Sequence, residues 1–164
     1  MLLCANSATA ANVWTGSLVN FTKADFTDPT LPSNQDRLTP NVWITRADLR
    51  GIYNARTETS FTHFLSPADT EWANGSLANF NSLTYTDWNT WALITNNGPP
   101  LTIGVDAVVH LISEDTYLSI TFTSWSAAGG GGFSYSRSTP VPAPASLALL
   151  GVGGLIATRR HRRV

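Results

Sequence analysis

From residue 145 to residue 158 the chain runs for fourteen residues without a charge, and Arg159, Arg160, Arg162 and Arg163 follow at once. Directly before this run, Ser138-Thr139-Pro140-Val141-Pro142-Ala143-Pro144 lacks the backbone donors that regular pairing needs and reads as an extended, solvated spacer. Together the two segments fix where a globular domain must stop. At about 1.5 Å per residue an apolar helix over 145–158 reaches roughly 21 Å, against a hydrocarbon core of roughly 30 Å. Snorkelling arginines extend that reach, so the pattern predicts a short single transmembrane helix with its basic end in the cytoplasm and the rest of the chain outside. A helix packed on its own domain would show a polar face, and this segment has none.

The first ten residues, MLLCANSATA, give a brief apolar start and then small residues, with Ala8 and Ala10 forming the A-x-A pattern of a signal-peptidase site. Residues 1–10 are therefore expected to be a truncated signal-peptide remnant. The remaining units are a β-rich extracytoplasmic domain over 11–138, a Pro-rich spacer over 139–144, the membrane helix over 145–158 and a basic tail over 159–164.

This order of parts resembles a PEP-CTERM sorting signal: Pro142-Ala143-Pro144, the glycine-studded apolar stretch and the arginine cluster follow one another as in that family, with Ala143 where the family has Glu. The resemblance implies a Gram-negative envelope protein, held briefly in the inner membrane. It is then cleaved by an exosortase-type enzyme and delivered to the cell surface or extracellular matrix. The body is similar to a group of uncharacterised bacterial envelope proteins through residues 34–39, 41–46, 122–125 and 129–135.

Charge narrows the functions open to the body. The four tail arginines are among only 10 basic residues, so the chain before them carries 6 basic against 11 acidic groups, about -5. Such a body offers no basic groove for a phosphate backbone, which excludes nucleic acid as an expected partner. The single Cys4 can build neither a disulfide framework nor a four-cysteine metal site.

Within the body, Leu118, Ile120 and Phe122 alternate with Ser119, Thr121 and Thr123, the period-two pattern of a half-buried strand. Residues 105–112 supply a partner strand and 113–116 the turn, giving an antiparallel hairpin. Further strands are expected over 13–21, 42–45 and 133–137, and short helical turns over 66–72, where Pro67 follows Ser66, and over 86–91. The fold class read from this is mainly β, an antiparallel β-sandwich or jelly-roll-like domain with one or two short helical turns, followed by the C-terminal helix. Gly129 to Gly132 read as a flexible turn, since no Lys-Ser/Thr follows as a phosphate loop requires.

The chemistry legible here is sparse. Neither H-E-x-x-H nor G-x-S-x-G occurs, and His63 and His110 are the only histidines outside the tail. His110, between Val109 and Leu111, reads as a structural strand histidine. No catalytic set, cofactor or metal is expected; Asp106, Glu114 and Asp115 are the weak candidates for calcium. Trp88 and Trp91, in a Thr/Asn setting, are expected to be exposed and to offer glycan contacts. The expected role is thus a non-enzymatic structural or adhesive surface protein. A carbohydrate-binding module for surface polysaccharide is the alternative, and an envelope hydrolase the weaker one.

Overall fold

A computed structural model describes residues 10–142. Nine strands form two sheets. The larger contains β1 (Asn12–Trp14), β2 (Val19–Lys23), β6 (Thr70–Asn74), β7 (Ala107–Leu111), β8 (Thr116–Trp125) and β9 (Phe133–Arg137), in the order β2-β9-β8-β7-β6. The smaller is the antiparallel ribbon of β3 (Asp36–Arg37), β4 (Trp43–Arg46) and β5 (Ile52–Asn54). Val42, Ile44 and Ile52 beside the small sheet share one buried core with Trp72, Val109, Leu118 and Phe122 of the large one. The architecture is mainly antiparallel β with a few short helical turns.

The hairpin read from the alternation is present: β7 and β8 pair antiparallel from Ala107 with Ile120 to Leu111 with Thr116. Its turn is tightened by Asp115, whose φ of 43° lies in the left-handed region that Asp tolerates. Leu118, Ile120 and Phe122 are buried, as period two requires. The register then shifts between Phe122 and Ser124. The extra residue keeps Trp125, rather than Ser124, on the face of Phe122, and Trp125 pairs with buried Phe133.

Two expected elements take another form. Residues 13–21 are not one strand, because β9 occupies the side of β8 from Ile120 to Trp125 and leaves only Thr116 to Leu118 for β1, which pairs there in parallel. The chain then crosses the end of β9 to reach its far edge as β2. The crossing is at Gly16, whose N–H donates to Thr139 O at 2.8 Å and where a Cβ would sit 2.6 Å from Pro140 O. Residues 66–72 are not helical: Thr70 to Asn74 pair along all of β7, and a five-residue ladder outweighs the propensity of a single capped turn.

The expected turn near residue 88 is present but begins later. Asp87 caps it, accepting the Thr90 N–H at 3.0 Å and the Thr90 hydroxyl at 2.6 Å, and the turn continues as a π-helical stretch over Thr90–Thr95. Thr86 instead bridges to Trp72 in strand fashion.

The four glycines do not form a loose turn. Gly130, Gly131 and Gly132 are buried, and Gly131 has φ 73° with the place of its missing Cβ 2.3 Å from Ala47 O. Three distant side chains hold the segment: Lys23 Nζ donates to Gly131 O, Arg46 Nη1 to Gly132 O, and Asp25 Oδ1 accepts the Gly132 N–H at 2.8 Å.

The expected transmembrane helix over 145–158 lies outside the described residues; among those described, no helix is long and apolar enough to cross a membrane.

Candidate functional site

A cleft of about 260 Å³ gathers aromatic and polar side chains at one end of the core. Three segments supply its aromatic walls. The loop between β5 and β6 is tied down by Glu58, which accepts the Asn54 N–H at 2.7 Å, the Ala68 N–H at 2.8 Å and the Ser66 hydroxyl. So fastened, the loop sets Phe61 edge-on against Trp88, centroids 5.8 Å apart at 81°, and places His63 Nδ1 3.0 Å from Asn89 Oδ1. The capped turn after Asp87 brings Trp88, Asn89 and Leu93, while the bulge in β8 brings Trp125, stacked on Trp88 at 5.6 Å.

Gly51 is required for this arrangement. Its missing Cβ would lie 2.3 Å from Trp88 Cζ3 and 2.6 Å from Phe61 Cε2, so any side chain would push the wall apart.

The electrostatics are one-sided. Arg46 and Arg50 line the cleft and no Asp or Glu does. The Arg46 guanidinium lies 3.8 Å over the Trp125 ring and donates from Nε to Arg50 O and from Nη1 to Ser126 O and Gly132 O. Burial pulls its pKa down to about 10, with the Asp25 charge opposing. Trp88 Nε1 is buried behind the wall without a hydrogen-bond partner among the described residues, a costly state for an indole N–H. Apolar walls beside the arginine donors suit binding of a ring that carries acceptors.

The residues singled out in the sequence are placed as follows. Trp88 and Trp91 are buried, 2% and 1% exposed, so the exposure expected of them is corrected. Polar neighbours in sequence did not predict this because the turn points both rings inward, where Trp91 meets Trp72 at 5.3 Å and donates to Asn74 Oδ1 at 2.7 Å. Asp106 does not meet Glu114 and Asp115: it precedes β7 and they follow it, about 17 Å of strand apart. Glu114 accepts from Asn41 Nδ2, and Asp106 accepts from the Thr121 hydroxyl. Among the described residues no group of three His, Cys, Asp or Glu side chains is placed to hold a metal ion.

His110 has its Nδ1 2.7 Å from Glu71 Oε1, its Nε2 3.3 Å from Asp115 Oδ1, and its ring stacked on Tyr117 at 4.1 Å. Of the processing residues, Ala10 and Pro142 fall at the two ends of the described chain. Ala8, Ala143, Pro144, Arg159, Arg160, Arg162 and Arg163 lie outside the described residues. The convergence of Arg46, Arg50 and Phe61 with Trp88 and Trp125 carried no sequence signal, since it depends on segments far apart in the chain.

The family model of the PEP-CTERM protein-sorting motif matches residues 140–163. No curated protein and no solved structure matches the chain, and the likeness of the body to envelope proteins finds no support in these comparisons. The match begins one residue after Thr139, whose carbonyl and hydroxyl are fastened to Gly16 N–H and Ser17 O. The chain is thus a β domain joined directly to a PEP-CTERM sorting motif, the mark of an exported protein handled at a membrane by an exosortase-type enzyme.

Proposed function

We propose that the β domain serves a structural or adhesive, non-enzymatic role at the surface or in the extracellular matrix of a Gram-negative cell. It reaches that place after transient anchoring in the inner membrane by residues 145–158 and release from that anchor. The observation that carries this reading is the sorting motif over 140–163, attached where β9 leaves the sheet. The acidic balance of the body, about -5 before the tail, argues against a nucleic-acid partner and is compatible with that address.

The test is fractionation of cells producing the full chain and a chain lacking 140–163. The full chain should appear at the surface or in the matrix, shortened by its tail, and the shortened gene product should lose that address. Recovery of the intact polypeptide from the cytosol would overturn the reading.

A second reading, a carbohydrate-binding module for surface polysaccharide, is favoured by the cleft between Phe61, Trp88 and Trp125. The partly exposed rings of Phe61 and Trp125, backed by buried Trp88 and set beside arginine donors, are a surface of the kind sugar recognition uses.

A further inference from the structure

We infer that the cleft between the β5–β6 loop and the bulge of β8 binds an acidic sugar, a hexuronate ring whose carboxylate is received by Arg46 and Arg50. The inference rests on the second reading above and names its ligand class.

Four observations lead to it. The walls are apolar: Phe61, Leu93, Pro99 and Pro100 stand around Trp88 and Trp125. At about 260 Å³ the cleft falls just below the range of roughly 300–1,000 Å³ typical of small-molecule sites, which suits one ring rather than an oligomer.

The unspent side-chain groups are nearly all donors. Arg46, 3% exposed, uses Nε and Nη1 on three backbone carbonyls, leaving Nη2 without an acceptor among the described residues. The Arg50 side chain is exposed and makes no hydrogen bond among those residues. The side-chain acceptors in the lining are confined to His63 and Asn89, which already face one another, Nδ1 of one 3.0 Å from Oδ1 of the other.

Among the described residues no carboxylate in the lining pairs with either arginine. The carboxylate acting on Arg46 is Asp25, which is not in the lining and whose Oδ1 is already taken by the Gly132 N–H. Burying a guanidinium without a paired carboxylate is costly, and a ligand carboxylate meets that need bidentately. A neutral sugar would leave both arginines unpaired, and a bare anion would leave the apolar walls unused.

The experiment uses the full chain in detergent micelles, titrated by tryptophan fluorescence with oligogalacturonate, with monomeric galacturonate, with neutral galactose oligomers and with acetate. The expected result is that both uronates bind, at least roughly tenfold tighter than neutral sugar, with affinity falling as salt rises. Arg50→Gln should weaken uronate binding roughly tenfold, and Leu93→Ala should weaken it while circular dichroism stays unchanged, since both side chains are exposed. Equal affinity for the neutral and acidic sugars would overturn the acidic specificity and leave the carbohydrate reading standing. Acetate binding as tightly as galacturonate would overturn the inference in favour of a simple anion site. Binding of none of these would overturn the inference and the carbohydrate reading together, while leaving the surface address intact.

Discussion

Arg137 on β9 forms a two-pronged pair with Asp36 on β3, with Nε 2.6 Å from Oδ2 and Nη2 2.8 Å from Oδ1, and so joins the large sheet to the small one. Tyr135 adds its hydroxyl to Asp36 Oδ2 at 2.8 Å. Burial opposes the guanidinium charge, but the hydrogen bonds and charge of Asp36 outweigh it and raise the Arg137 pKa. Burial, and then Asp36, drive the Tyr135 phenol well above its ordinary value, so it remains a donor. Removing the carboxylate would leave a largely buried cation, its side chain 12% exposed, without its partner. Asp36→Ala should therefore cost about 3–5 kcal/mol, read from urea unfolding, and Asp36→Leu combined with Arg137→Met should recover most of that loss.

Gly51 packs against two aromatic rings of the cleft. Gly51→Ala should destabilise the domain by about 1–3 kcal/mol through overpacking. Near-ultraviolet circular dichroism should change with it, because the Phe61 and Trp88 rings must separate. An unchanged spectrum and midpoint would mean the close approach is absent.

The glycine segment should loosen in acid. The Ser126 hydroxyl, then the Gly132 N–H, hold the Asp25 carboxyl below its ordinary value of 3.8. A depressed folded value means that the stabilisation is fully present above about pH 3.8 and is lost as pH falls through the lower, folded value. Hydrogen exchange at the Gly132 amide should accelerate over that window, whereas Asp25→Asn, which keeps an acceptor but cannot titrate, should show no such step.

On the proposed membrane anchor, the positive cluster would set which end stays in the cytoplasm, so replacing Arg159, Arg160, Arg162 and Arg163 by neutral residues should disturb orientation or processing. A reporter fused at the C-terminus and the mass of the mature chain read this out. Unchanged topology and cleavage would count against the anchor.

A fragment spanning residues 11–138 should be soluble and β-rich by far-ultraviolet circular dichroism. It retains all nine strands, the Asp36–Arg137 pair and the shared core. A predominantly helical spectrum would contradict the fold.

What the sequence determined by itself was local or linear. Period-two alternation placed β8 and its partner β7 because each strand's faces are set by its own residue order. The sorting motif was legible for the same reason: spacer, apolar run and arginines act in sequence order. Tertiary structure decided the rest. Whether Trp88 and Trp91 face water depends on what stands opposite them, and their Thr/Asn neighbours along the chain carry no information about Trp72 or Phe61. Gly129 to Gly132 read as loose because glycine permits freedom, yet Lys23, Asp25 and Arg46, more than eighty residues away, remove it. The break at Gly16 follows from β9 already occupying the edge of β8. In each case the deciding partner is distant in the chain, and only the folded backbone brings it within a few ångströms.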